Sequence, residues 1–118
     1  MSEPGGLAAF DCLAPPLMWS EGLSTLREAA FRGEIPEDRL DEAVARLEAL
    51  PIRPAGGTSA DRRSALRIAR QLGWAKTYDA EYVALAERFE CELLTADARL
   101  HRGAGRLIQM RTPESLRA

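Results

Sequence analysis

An α/β layered domain with a short parallel sheet is the fold class that the sequence predicts, and three observations predict it. Apolar residues recur at helical spacing in four separate stretches. Short apolar runs suited to buried strands stand beside those stretches, so helices precede strands along the chain. The 118 residues, 46% apolar and 29% charged, fit one domain (residues 1–118) with a single modest core.

Residues 1–9 read as a flexible lead-in, and Leu7-Ala8-Ala9-Phe10 is a short apolar run. A second run, Leu13 to Leu17, is interrupted by Pro15-Pro16. From Met18 the period becomes helical: Trp19, Leu23, Leu26 and Ala30 share a face, and Gly33 supplies a stop. Pro36 opens a second helix, because a missing N–H is harmless in a first turn. Leu40, Val44 and Leu47 form its apolar stripe, and its acidic face reads as solvated. Pro51-Ile52-Arg53-Pro54 allows only a very short strand, and Gly56-Gly57 ends regular structure there. Ser59 is the expected N-cap of a third helix, with Leu66, Ala69 and Leu72 inward and Gly73 ending it. A fourth helix begins near Tyr78 and is expected to bury Tyr82, Val83, Leu85, Ala86 and Phe89. Cys91 to Thr95 is a strand, Ala98 to His101 a helical turn, and Leu107 to Met110 a last strand.

Composition removes several function classes. The formal charge is −2, so any nucleic-acid binding must use a local patch and not a global basic field. Cys12 and Cys91 are too few for a metal-ligand pattern and read as small buried hydrophobes in a cytosolic protein. A single histidine, His101, argues against zinc sites and against Ser-His or Cys-His catalysis, and an exposed place on a short helix is expected for it. No apolar run approaches a membrane span and the start lacks a signal-peptide pattern, so a soluble, cytoplasmic protein is expected.

The informative residues are acidic. Asp79 and Asp97 stand eighteen positions apart, each where loop or strand turns into helix. A helix followed by a short strand returns to the same sheet edge, and open parallel sheets bind ligands at the carboxyl ends of their strands. Glu21 falls in the first turn of its helix and projects away from the Trp19-Leu23-Leu26 stripe. Each acid also has a purely structural reading. A carboxylate is favoured in a first helical turn at Asp79, an N-cap is favoured at Asp97, and Glu21 can be an exposed helix-start glutamate. As a group without histidine or thiolate, the three would prefer hard cations, Mg²⁺ or Mn²⁺. Such ions suit phosphodiester hydrolysis.

Three segments resemble the PIN domain, specifically the toxin ribonuclease of VapBC toxin–antitoxin pairs. They are Leu13-Ala14-Pro15-Pro16-Leu17-Met18-Trp19-Ser20-Glu21, Thr77-Tyr78-Asp79-Ala80-Glu81-Tyr82-Val83-Ala84-Leu85-Ala86 and Leu93-Leu94-Thr95-Ala96-Asp97-Ala98-Arg99-Leu100. The resemblance runs from about residue 10 to the C terminus. It implies a three-layer α/β/α domain and a metal-dependent, single-strand endoribonuclease. Glu21, Asp79 and Asp97 would hold Mg²⁺ or Mn²⁺, with Ser24, Thr77 and Thr95 orienting them. It further implies a VapB-like antitoxin partner, an RNA substrate and a homodimer.

The sequence departs from the family at its start. The family begins with a central strand ending in an aspartate, and only twenty residues precede Glu21. Asp11, after Leu7 to Phe10, imitates that ligand; otherwise the first strand is missing and the domain is N-terminally truncated. Such a loss implies exposed sheet edges and a need for a partner. Two alternatives to the nuclease therefore stand: an inactive PIN remnant that binds antitoxin or dimerises, and a small helical partner protein whose three acids are caps.

Overall fold

Pro15 and Pro16 make the first change of structure. β1 (Cys12–Ala14) runs up to them and α1 (Leu17–Phe31) starts directly after. Pro16 is the N-cap residue with φ −52°, where a proline removes no intrahelical bond. A computed structural model describes residues 6–116 of the chain. Of the expected lead-in, residues 1–5 lie outside the described residues and Gly6–Ala9 form a 3₁₀ turn.

α1 ends before Gly33, whose φ of 77° turns the chain in a region that L side chains avoid. After Pro36 a 3₁₀ turn, Glu37–Arg39, leads into α2 (Leu40–Glu48), which packs back on α1. Gly22 makes that approach possible, since a Cβ there would stand 3.0 Å from Leu47 Cδ2. β2 (Ile52–Pro54) then pairs in parallel with β1, Cys12 opposite Ile52 and Ala14 opposite Pro54.

The second half again combines a helical pair with two parallel strands, in a different order. α3 (Ser59–Leu72) and α4 (Tyr78–Phe89) form the closest-packed pair of elements. β3 (Leu93–Leu94), α5 (Ala98–Ala104) and β4 (Met110–Arg111) come next, with β3 and β4 parallel. The core lies here. Ala65, Ile68 and Ala69 of α3 meet Ala80, Val83, Ala84 and Ala86 of α4, with Leu93, Leu100 and Ala104 closing the cluster. So many alanines let the helices approach closely around two larger side chains, Ile68 and Val83.

The α/β class and its parallel strands agree with expectation, but a single sheet does not form. Among the described residues there are two separate two-stranded sheets, β1–β2 and β3–β4. The last strand falls at Met110–Arg111 and not Leu107 to Met110, because α5 runs on to Ala104 and both Leu107 and Ile108 donate to its carbonyl. Leu66 and Phe89, expected inward, are 43% and 44% exposed, because the inward faces turn toward Ala65–Ile68–Ala69 and Ala80–Val83–Ala84. Tyr82 is half-buried, Cys91 is exposed, and His101 is half-buried with Nε2 2.8 Å from the Thr95 carbonyl. No helix among the described residues is long and apolar enough to cross a membrane.

The N-cap of α3 is Thr58, one residue before the expected Ser59. Thr58 Oγ1 accepts from the Asp61 N–H at 3.1 Å while the Asp61 carboxylate accepts from the Thr58 N–H at 3.3 Å, a reciprocal box. The Thr58 hydroxyl, ahead of the Arg88 guanidinium, holds the Asp61 carboxyl below the usual carboxylate range. Thr58→Ala is expected to cost about 1 kcal/mol in urea unfolding at neutral pH. A depressed folded pKa contributes stability above the unfolded value and loses it as pH falls through the folded one. The gap between parent and variant should therefore narrow in acid, below pH about 4.

Candidate functional site

α4 opens toward the carboxyl end of β3, and the two acids of that half meet there. Asp79 lies in the first turn of α4, where the helix dipole favours a carboxylate. Thr77, the residue before the helix, makes no capping bond through its side chain. Asp97 follows β3 and is the N-cap of α5, accepting from the N–H of Arg99 at 2.9 Å and of Leu100 at 3.4 Å. Thr95 Oγ1 accepts from the Asp97 N–H at 3.1 Å and fixes the turn that presents the acid. The Arg99 backbone N–H, and next its guanidinium, hold the Asp97 carboxyl below the usual carboxylate range.

One cation joins the pair. Arg99 Nη2 stands 3.2 Å from Asp97 Oδ2 and 3.9 Å from Asp79 Oδ2. Two carboxylates brought to one place require a positive group between them, and here the chain provides its own. The third acid arrives from the other half of the molecule. Glu21 of α1 accepts from the Tyr82 hydroxyl at 3.0 Å, and Tyr82 sits one helical turn beyond Asp79 on α4. Burial first, and then the bond to Glu21, push the Tyr82 phenol up, so it remains a protonated donor at neutral pH.

Glu21, Asp79 and Arg99 line a cleft of about 500 Å³ together with Trp74, Lys76 and Tyr78. A second hollow, about 620 Å³, lies against His101 and residues 105–110 and contains no carboxylate. The remaining predicted residues stand outside this arrangement. Ser24 is exposed on α1 one turn beyond Glu21, with no side-chain bond to the acids. Asp11 precedes β1, at the opposite end of that strand from α1, and Arg53 holds both its oxygens at 3.0 Å. Sequence reasoning did not single out Arg99 or Tyr82 as partners of the acids. Its available signals were a cation two residues after an N-cap aspartate and a tyrosine one turn after Asp79.

The donor set is one for a hard cation, since it consists of carboxylates and already gathers a positive charge. Among the described residues, no three of His, Cys, Asp or Glu converge closely enough to hold a metal ion as they stand. Asp79 and Asp97, both within 4 Å of the Arg99 guanidinium, could share one with Arg99 displaced.

Compared with known proteins, no curated protein matches the chain. The family model described as PIN domain matches residues 7–106. PIN domains are nucleases that generally use divalent metals. The matched residues include both turns into helix that present Asp79 and Asp97, as well as the helix that carries Glu21, and span most of the sequence. The chain therefore belongs to the PIN domain family.

Proposed function

We propose that the chain is a metal-dependent endoribonuclease of the VapC toxin type, cleaving RNA with Glu21, Asp79 and Asp97 as its acidic set. The observation that supports this reading most is the sharing of one cationic group by Asp79 and Asp97, beside a cleft that Asp79, Arg99 and Glu21 line. Mg²⁺ or Mn²⁺, when bound, would supply activation of the attacking water and neutralisation of the charge that builds on the phosphate. The chain's own residues do the rest. Tyr82 holds Glu21 toward α4, Thr95 fixes the turn that presents Asp97, and Thr77 flanks Asp79. A carboxylate not engaged with the ion accepts the proton of the attacking water. Arg99, released from the aspartates, is free to contact a phosphate oxygen. A cytoplasmic setting, a VapB-like antitoxin and a homodimer belong to the same reading.

A second reading is an inactive PIN-family module that serves in antitoxin binding or dimerisation. Its support is that, among the described residues, the strands pair only two by two in separate sheets and no three acids converge closely enough to hold an ion. One experiment separates the readings. Thermal unfolding with Mn²⁺ titrated in is run beside an Asp79→Asn, Asp97→Asn chain, and RNA cleavage is followed in the same samples. Stabilisation by Mn²⁺ that the double variant loses, together with cleavage, supports the nuclease. Stabilisation without cleavage supports the inactive module. A folded protein indifferent to Mn²⁺ leaves the acids as caps and sinks both metal readings.

Arg99 should compete with the ion. Arg99→Gln removes the resident positive charge, and Mn²⁺ affinity is expected to rise about two- to fivefold, a range set by the weakness of exposed ion pairs. The midpoint of the Mn²⁺-dependent shift in melting temperature measures it.

A further inference from the structure

The cleft beside the acids is not lined by charge alone. Trp74 and Tyr78 both border it, with Lys76 between them in sequence and Arg99 contributed by α5. Tyr78 is 52% exposed, a large ring left in solvent immediately before Asp79 in the first turn of α4. The ring does not belong to the side chains packed on the core cluster.

Trp74 is placed differently. It packs against the core cluster from the loop between α3 and α4. α5 comes up directly against its indole at Gly103: a Cβ added there would stand 3.0 Å from Trp74 Cζ2 and 3.5 Å from Nε1. Any larger residue at 103 would push against the ring. The indole is thus seated by a glycine on one side while it borders the cleft on another. One fixed ring and one exposed ring beside two cationic side chains match what unpaired nucleic acid requires. Aromatic faces stack on bases, and cations neutralise the adjoining phosphates. A base inside a duplex already has both faces covered by its neighbours, so only an unpaired one can use such a surface.

We propose that Tyr78 and Trp74 form a stacking subsite for one unpaired nucleobase, next to the phosphate that lies at Asp79. This rests on the nuclease reading and adds to it a specificity-determining contact. Tyr78 supplies the face, Trp74 backs the pocket, and Lys76 and Arg99 hold the flanking phosphates. Because every base has a π-face, the subsite selects for an unpaired nucleotide with little preference for its identity.

The test uses the full chain without divalent metal, so that nothing is cleaved. Binding is read by fluorescence anisotropy for a labelled, unstructured RNA octamer, for an abasic ribose–phosphate octamer, and for an RNA duplex. The octamer is expected to bind about tenfold more tightly than the abasic strand and than the duplex. Tyr78→Ala should remove that advantage, leave abasic binding unchanged and leave the unfolding curve near that of the parent; Tyr78→Phe should restore it. Equal binding of octamer and abasic strand, or a Tyr78→Ala chain that binds the octamer as the parent does, overturns the stacking subsite while RNA binding stands. Failure of every strand to bind overturns the subsite, whereas the nuclease reading stands or falls on the Mn²⁺ and cleavage experiment above.

Discussion

Replacing Asp79 and Asp97 by asparagine is expected to lower RNA cleavage at least about a hundredfold while leaving the fold in place. The two halves of that expectation have separate physical grounds. Activity falls because an amide carries no charge, and two neutral oxygens hold a hard divalent ion far less well than two carboxylates. Structure survives because neither acid is buried; their side chains are 50% and 40% exposed. Asparagine caps a helix about as well as aspartate, so the bonds from the N–H groups of Arg99 and Leu100 can persist at position 97. Asp79 makes no capping bond to lose, its cationic partner being the Arg99 guanidinium at 3.9 Å. Initial rates at saturating Mn²⁺, with circular dichroism on the same stock, check both halves. A double variant that keeps the parent's rate would show the acids to be structural.

Ile68→Ala is expected to produce the largest loss of stability, about 3 kcal/mol, and a melting temperature lower by roughly 10 °C. Ile68 is fully buried on α3, in a cluster otherwise dominated by alanine. Around it Ala65, Ala69, Ala80 and Ala84 have no longer side chains with which to fill a hole. The cavity therefore persists, and the cost is that of lost transfer energy plus an empty volume. Leu66→Ala on the same helix is the control. Leu66 is 43% exposed, and its truncation should cost under about 1 kcal/mol in the same urea titration. Similar losses at the two positions would contradict the inward face described for α3.

Much of the fold was legible because its signals are local. Pro36 marked the approach to α2, paired glycines marked the break after β2, and Gly73 ended α3 with φ 71°. The inward faces of α3 and α4 were less legible. Hydropathy points to leucine and phenylalanine as the buried residues, yet the closest packing is made by alanines, which carry little hydropathic signal. Ser59 lost the capping role to Thr58 because the reciprocal bond with Asp61 depends on a three-residue spacing, and Thr58–Asp61 satisfies it. At the site, Asp79 and Asp97 stood out as acids at element junctions, while Glu21, expected in a first turn, is the fifth residue of α1. The bond from Tyr82 to Glu21 did not stand out, since its ends lie 61 residues apart. Nor did the reach of Arg99 from α5 back to Asp79 on α4. Polar pairs between distant elements leave no period in a sequence.

The order in which the molecule assembles can be drawn from its two helical hairpins. α1 with α2, and α3 with α4, each pair elements that are neighbours along the chain, the low-contact-order arrangement that forms fast. The β1–β2 ladder instead closes a loop from Cys12 to Ile52, and it ties only three residue pairs when it does. Helical hairpins should therefore be in place before the strands find their register. Glu21 belongs to the first hairpin and Asp79 and Tyr82 to the second, so the acidic group is brought together only when the two dock. Newly made chains would pass through a compact, helical stage in which Glu21 is still apart from Asp79 and Tyr82.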